Sequence, residues 1–249
     1  MRGPATLTGA GAAPAHAGLA GLCPSGAISS GGLTIRLDQG RCVQCGRCVA
    51  KRPDLFAWSS GPGVAAPARQ ALVVPEMPET PERLAEARAR LRRRTAALRR
   101  SVHLRHVDAG SDGTEEWEIL ALLNPAYDVH RLGVFFTASP RHADILLVTG
   151  AGTAGMAGPL RRAHEAMPEP KLVMAVGTDA VSGGLHGGGD GACGGAGGIL
   201  PVDVWVPGSP PDPFSILYGI LLAAGRLPGG AAAGPAPSRA GDGTGRRRR

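Results

Sequence analysis

The chain has 249 residues, 43% of them hydrophobic and 4% aromatic, with 39 Gly and 22 Pro, which is room for one or two packed cores joined by many turns. Five cysteines, four of them within the first fifty residues, suit a metal site in a reducing compartment better than a disulfide framework. The formal charge of +7 is concentrated: residues 82–100 hold eight Arg against two Glu, and Arg246 to Arg249 close the chain, so the remainder is slightly acidic.

Residues 1–17 are rich in Ala, Gly and Pro and read as disordered. Their single Arg and lack of a sustained apolar stretch argue against a signal peptide. Residues 18–79 carry four cysteines and then a Pro-rich stretch, with LTIRLDQGRC (33–42) as a strand and turn leading into the cysteine loop. Thr80-Pro81-Glu82 supplies an N-cap, a helix-compatible Pro and an acidic first turn. The helix that follows, within 80–101, sets Leu84, Leu91 and Leu98 seven residues apart, a thin apolar seam on a basic linker helix. No aromatics interleave with its arginines to stack bases, so it reads as a solvated face against an acidic partner, and no nucleic-acid partner is expected.

From 102 to 228 strands and helices alternate. WEILALLNP (117–125) is a helix stopped by Pro, RLGVFF (131–136) a strand, ADILLVTG (143–150) a buried strand and GPLRRAHEA (158–166) a helix. PKLVMAVG (170–177) is a second buried strand, DVWVPG (203–208) the last strand and PFSILYGILLAAG (213–225) the last helix. Continuous apolar strands separated by helices predict an α/β fold with a parallel sheet covered on both faces. Ligands of such sheets sit beyond the carboxyl ends of the strands. Residues 229–249 read as a disordered basic tail. The run Ile216 to Ala224, interrupted by Gly219, is too short to span a bilayer. A cytoplasmic protein is the expectation, peripheral on the membrane at most through partners.

RCVQCGRCVAKRP (41–53) begins as the run C-x2-C-x2-C-x3-C-P of two-cluster ferredoxins but places Arg52 where the fourth Cys belongs. In that run the Cys before Pro ligates the other cluster, and CPSGAI supplies such a residue in Cys23. Cys23, Cys42, Cys45 and Cys48 therefore form one four-cysteine set. The spacing puts the missing second set at Ala13, His16 and Leu19, so the loss is consistent on both sides. One 4Fe-4S cluster is the expected cofactor; a zinc site on three or four thiolates is the competing reading. CPSGAI with CVQCGRC resembles a bacterial-type ferredoxin domain over residues 18–58, which implies a small ferredoxin-like α+β segment before the linker helix.

The segments HVDAGS, EWEILALLNPAYDVHRLGVFFTASPRHADILLVTG, PEPKLVMAVG, ACGG, ILPVDVWVPG and ILYGILL, over about residues 103–226, resemble the B subunit of NADH-quinone oxidoreductase and the small subunit of membrane-bound nickel-iron hydrogenases. That resemblance implies a flavodoxin-like sheet with one four-iron cluster at the strand ends. It also implies a large catalytic-type subunit as partner, and through it membrane subunits and quinone or nickel-iron chemistry. Its four ligand positions fall on Asp112, Glu115, Asp179 and Ser209. Hard oxygen groups are poor substitutes for thiolates around iron and sulfide, so no cluster is expected in the second domain. Asp112, Glu115 and Asp179, converging near Ser209, offer a divalent-cation site; the alternative is a vacated pocket that has drifted to polar, solvated residues.

Two functions compete: an electron-transfer subunit of a hydrogenase-like or quinone-reductase-like complex, and a non-redox assembly paralogue that docks a large subunit. No complete catalytic site is expected in the chain itself. Cys193 stands alone. Of the histidines, 103 and 106 share one element and 130, 142, 164 and 186 are scattered, with no HxxxH or HxH spacing. SGGLHGGGDGACGGAGG (182–198) lacks GxGxxG before a helix and a following GKS/T, and reads as a flexible loop.

Overall fold

The computed structural model describes residues 2–8, 18–31, 34–61, 65–75, 81–94, 96 and 101–227. In chain order the N-terminal part holds β1 (Arg2–Leu7), β2 (Ile28–Gly31), β3 (Thr34–Asp38), the short helix α1 (Arg47–Lys51), β4 (Phe56–Ser60) and β5 (Val73–Val74). β1 pairs antiparallel with β4, and β2, β3 and β5 form a second antiparallel sheet. A compact core of Ala5, Ile28, Ile35, Leu37 and Phe56 joins them, together with Cys42 and Cys48.

β1 corrects the reading of residues 1–17 as disordered; residues 9–17 lie outside the described residues. Taken alone the segment has too little apolar mass to order itself, but a strand needs only a ladder partner and a flat surface. β4 supplies both: Leu7 stands opposite Phe56 and Ala5 opposite Trp58, and Ala5 is buried. Small residues are what this contact requires, since a Cβ on Gly3 would lie 2.3 Å from Ser59 Oγ.

Helix α2 (Pro81–Arg94) follows. It is docked as well as linking. Leu91 is buried in the core of the second domain, and the Arg94 guanidinium donates to Asp203 Oδ1 while Asp203 Oδ2 accepts from Val173 N–H at 3.0 Å. Of the rest of the expected seam, the Leu84 side chain and Leu98 lie outside the described residues, as does the tail 228–249.

The second domain is built from β6 (Val102–Asp108), α3 (Thr114–Ala121), β7 (Val134–Phe136), β8 (Ile145–Thr149), α4 (Ala154–Glu165), β9 (Leu172–Val176), α5 (Thr178–Ser182), β10 (Val204–Val206) and α6 (Pro213–Ala223). The sheet order is β10-β9-β8-β6-β7, all parallel. Counted from β6, that is 2-1-3-4-5, the flavodoxin-like order with its switch point between the first and third strands. Alternation along the central strands divides the core in two. Ile145, Leu147, Leu172 and Met174 face α3 and α6 through Ile119, Ile216 and Ile220. Leu146, Val148, Val173 and Ala175 face α4 through Ala157 and Leu160. β8 and β9 are buried at every position, as a parallel sheet covered on both faces requires. No helix among the described residues is long and apolar enough to cross a membrane.

The glycine-rich segment 182–198 is more closely fitted than a flexible loop would be. Gly195 N–H donates to Ala151 O at 2.9 Å and Cys193 N–H to Gly152 O at 2.7 Å. A Cβ on Gly152 would lie 2.6 Å from Gly195 O, so two backbones meet where no side chain fits.

Candidate functional site

The chain turns sharply between the cysteines. Gln44 and Gly46 both take positive φ, 53° and 74°, so Cys42 and Cys45 on the turn and Cys48 in the first turn of α1 are carried around one pocket. Gly46 is fitted here for a second reason: a Cβ would meet Trp58 Cζ2 at 2.9 Å. Cys23 enters the same pocket from the other side, and Ala5, Ile28 and Leu37 supply apolar wall.

Cys42 and Cys48 are buried, Cys23 is half-buried and Cys45 is exposed. Burial pushes the Cys42 thiol up, backbone hydrogen bonds from Gln44 and Ala5 oppose that, and the neighbouring Cys48 and Cys23 add to the rise. Cys48 is also raised, first by burial, against a backbone bond from Val49, with Cys23 and Cys45 as charged neighbours. Ala27 N–H donates to Cys23 Sγ at 3.3 Å, a bond that strengthens as the sulfur gains negative charge. Arg52, at the position of the absent cysteine, turns to solvent and grips Asp54, with Nη2 2.6 Å from Oδ2.

In the second domain Asp112, Glu115, Asp179 and Ser209 all lie past the carboxyl ends of strands, on the loops after β6, β9 and β10 and at the start of α3 and α5. Asp112 is exposed and accepts from Thr114 N–H at 3.0 Å and Thr114 Oγ1 at 2.6 Å, bonds that hold its carboxyl below the usual range. Glu115 is 2% exposed. Its carboxyl lies where Gly177 has no Cβ; an added one would be 2.4 Å from Oε1. Burial, then the charges of Asp179 and Asp112, push Glu115 up to about 7. Asp179 is raised as well, by burial and then by Asp112. Ser209 is exposed and follows Gly208, whose carbonyl accepts from Thr178 N–H at 2.6 Å.

The three carboxylates therefore face one region. No three His, Cys, Asp or Glu side chains among the described residues are gathered tightly enough to hold a single metal ion. That holds for the carboxylates and for the thiols alike, and the two sets differ in chemistry. Four soft sulfurs with amide donors around them fit an iron–sulfur cluster. Three carboxylates and a hydroxyl do not.

Two groups were not legible in the sequence. Thr178 is fully buried and its Oγ1 donates to the Cys42 carbonyl at 3.1 Å, joining the two parts of the chain across 136 positions. Nothing in its local sequence distinguishes it. The second is a recess of about 370 Å³ lined by His106, Glu116, Ile119, Leu120, Leu123 and Phe136. Thr149 Oγ1 donates to Glu116 there and stands 2.9 Å from His106 Nε2. Burial lowers the His106 pKa against the opposing charge of Glu116. Of the other histidines, His103 and His130 stack on Phe135, and His186 lies close enough to Asp179 to oppose the rise of its carboxyl. Cys193 packs half-buried in the second core, away from the other thiols.

Residues 113–223 match the family described as NADH ubiquinone oxidoreductase, 20 Kd subunit. Formate hydrogenlyase subunit 7 of Escherichia coli is 44% identical over 132 residues, 52% of this chain and 51% of its own length. The probable membrane-bound hydrogenase subunit mbhJ of Pyrococcus furiosus is 42% identical over 144 residues, 56% of this chain and 86% of its own length. The chain thus spans about half of the first relative and most of the second. One chain in the structure of the membrane-bound sulfane sulfur reductase, an archaeal respiratory membrane complex, aligns with a TM-score of 0.46 at 28% identity, over 53% of this chain and 74% of that one.

Proposed function

Because the chain belongs to the NADH ubiquinone oxidoreductase 20 Kd subunit family, we propose that it is an electron-transfer subunit of a hydrogenase-like or quinone-reductase-like complex. Its redox group is one 4Fe-4S cluster on Cys23, Cys42, Cys45 and Cys48, and its second domain has lost the family's cluster. The observation that carries this reading is the single pocket lined by all four thiols. A cube spreads its thiolates over four irons, so they stand farther apart than ligands around one ion; zinc would draw the same four sulfurs inward.

When bound, such a cluster supplies one-electron transfer. The protein's own part is to hold and tune it. Ala27 N–H donates to Cys23 Sγ, backbone donors at Cys42 and Cys48 oppose the rise that burial imposes on those two thiols, and Ile28 and Leu37 form apolar wall on one side of the pocket. Cys45, the exposed ligand, marks the side from which an external redox centre can be reached. The partner is a large catalytic-type subunit, with membrane subunits reached through it at the cytoplasmic face. The basic helix α2 docks within the chain through Arg94, and nucleic acid has no part in the reading.

The test is an anaerobic reductive titration of the full chain. One electron per chain should bleach a broad visible absorption, and reoxidation should restore it. A chain that takes up no electron belongs to the competing class, an assembly paralogue that docks a large subunit without passing charge.

A further inference from the structure

The cysteine loop is bound into the second domain where Cys42 meets Thr178. Thr178 opens α5 with three hydrogen bonds: its N–H to Gly208 O at 2.6 Å, its Oγ1 to Cys42 O at 3.1 Å, and its own carbonyl accepting from Ser182 Oγ at 3.0 Å. A fully buried hydroxyl left without its partner is costly, so each half of the joint needs the other.

The neighbouring turn is clamped from both sides. Asp38 Oδ1 accepts from Gly40 N–H at 2.9 Å and from Arg69 Nη1 at 2.8 Å, and Asp38 Oδ2 accepts from Arg69 Nη2 at 2.8 Å. Gly40 then lies so close that a Cβ would be 2.8 Å from Val181 Cγ1 of α5. The segment after the cysteine unit is stitched on as well: Ala66 and Trp205 exchange backbone hydrogen bonds of 2.9 and 2.8 Å beside β10. Asp179 is the residue after Thr178, and it shares its region with Glu115 and Asp112.

From this juxtaposition we infer that the four-thiol pocket is seated on the strand-end site that the second domain has emptied of thiols, with Thr178 as the residue that positions Cys42. A cluster held there stands beside Asp179 and occupies the place in the electron path that a second-domain cluster would have held. The inference rests on the cluster reading of the four cysteines. Its added content is where the cluster stands and what sets its potential, which depends on net charge and hydrogen bonding around the sulfurs.

Anaerobic redox titration of the full-length protein at pH 8, followed by electron paramagnetic resonance, tests it. Asp179→Asn removes a negative charge beside the cluster and should shift its midpoint potential to a less negative value. Glu165→Gln, at the exposed C-terminal end of α4, where the chain returns towards the amino end of β9, should leave the potential unchanged. Thr178→Val removes a donor pointed at Cys42 and should shift the potential to a more negative value, and Thr178→Ser should restore it. If Thr178→Val does not fold, the Asp179→Asn comparison still decides. An Asp179→Asn shift no larger than that of Glu165→Gln overturns the inference while leaving the cluster in place. Protein that binds no cluster overturns the reading beneath it, and this inference with it.

Discussion

Cys45→Ser should abolish the visible iron–sulfur absorption while leaving the protein folded. The choice among the four cysteines matters. Cys42 and Cys48 are buried within the N-terminal core, so their substitution disturbs packing and ligation together. Cys45 is exposed and contributes a sulfur to the pocket with little packing of its own. A hard hydroxyl in place of a soft thiolate leaves the cube one ligand short. Far-ultraviolet circular dichroism of the variant should match the wild type, and its iron content should fall to background. Retained stoichiometric iron and sulfide in the variant would show that Cys45 is not a ligand.

Glu115→Gln should stabilise the protein above neutral pH and do little below about pH 4.5. An ordinary glutamate titrates at 4.5, whereas burial and the charges of Asp179 and Asp112 push this one up to about 7. The folded chain therefore keeps a proton that the unfolded chain releases. The resulting stability is fully present below the unfolded value, falls as pH rises between the two, and is lost once pH passes the folded value. At roughly 1.4 kcal/mol per pH unit, the interval amounts to about 3 kcal/mol. Denaturant titrations of wild type and variant at pH 5 and pH 8 check it. The wild type should lose stability relative to the variant across that range, and parallel behaviour of the two would show that Glu115 is not held protonated.

Glu115 also shows which parts of the site were visible before the fold. That the four cysteines line one pocket was legible because their spacing is a local property, and Cys23 was found through the Pro that follows it. The convergence of Asp112, Glu115 and Asp179 came from motif positions shared with a family, since only the folded sheet brings the loops after β6 and β9 together. β8 and β9 were legible as strands because burial on both faces makes each an unbroken apolar run. β1 was missed because its order comes from the β4 ladder rather than from its own composition. α5 was missed because five residues are too few to show a helical period. Thr178 was invisible for a different reason: its role depends on a carbonyl 136 positions away, and a buried Thr has no signature of its own.

The central claim is that one cluster sits in the N-terminal unit and none in the second domain. Iron and acid-labile sulfide counted on anaerobically prepared full-length protein test it most directly. The account predicts one 4Fe-4S cube per chain, with no further iron held by Asp112, Glu115, Asp179 or Ser209. Stoichiometric zinc without sulfide, or iron and sulfide for two cubes, would contradict it.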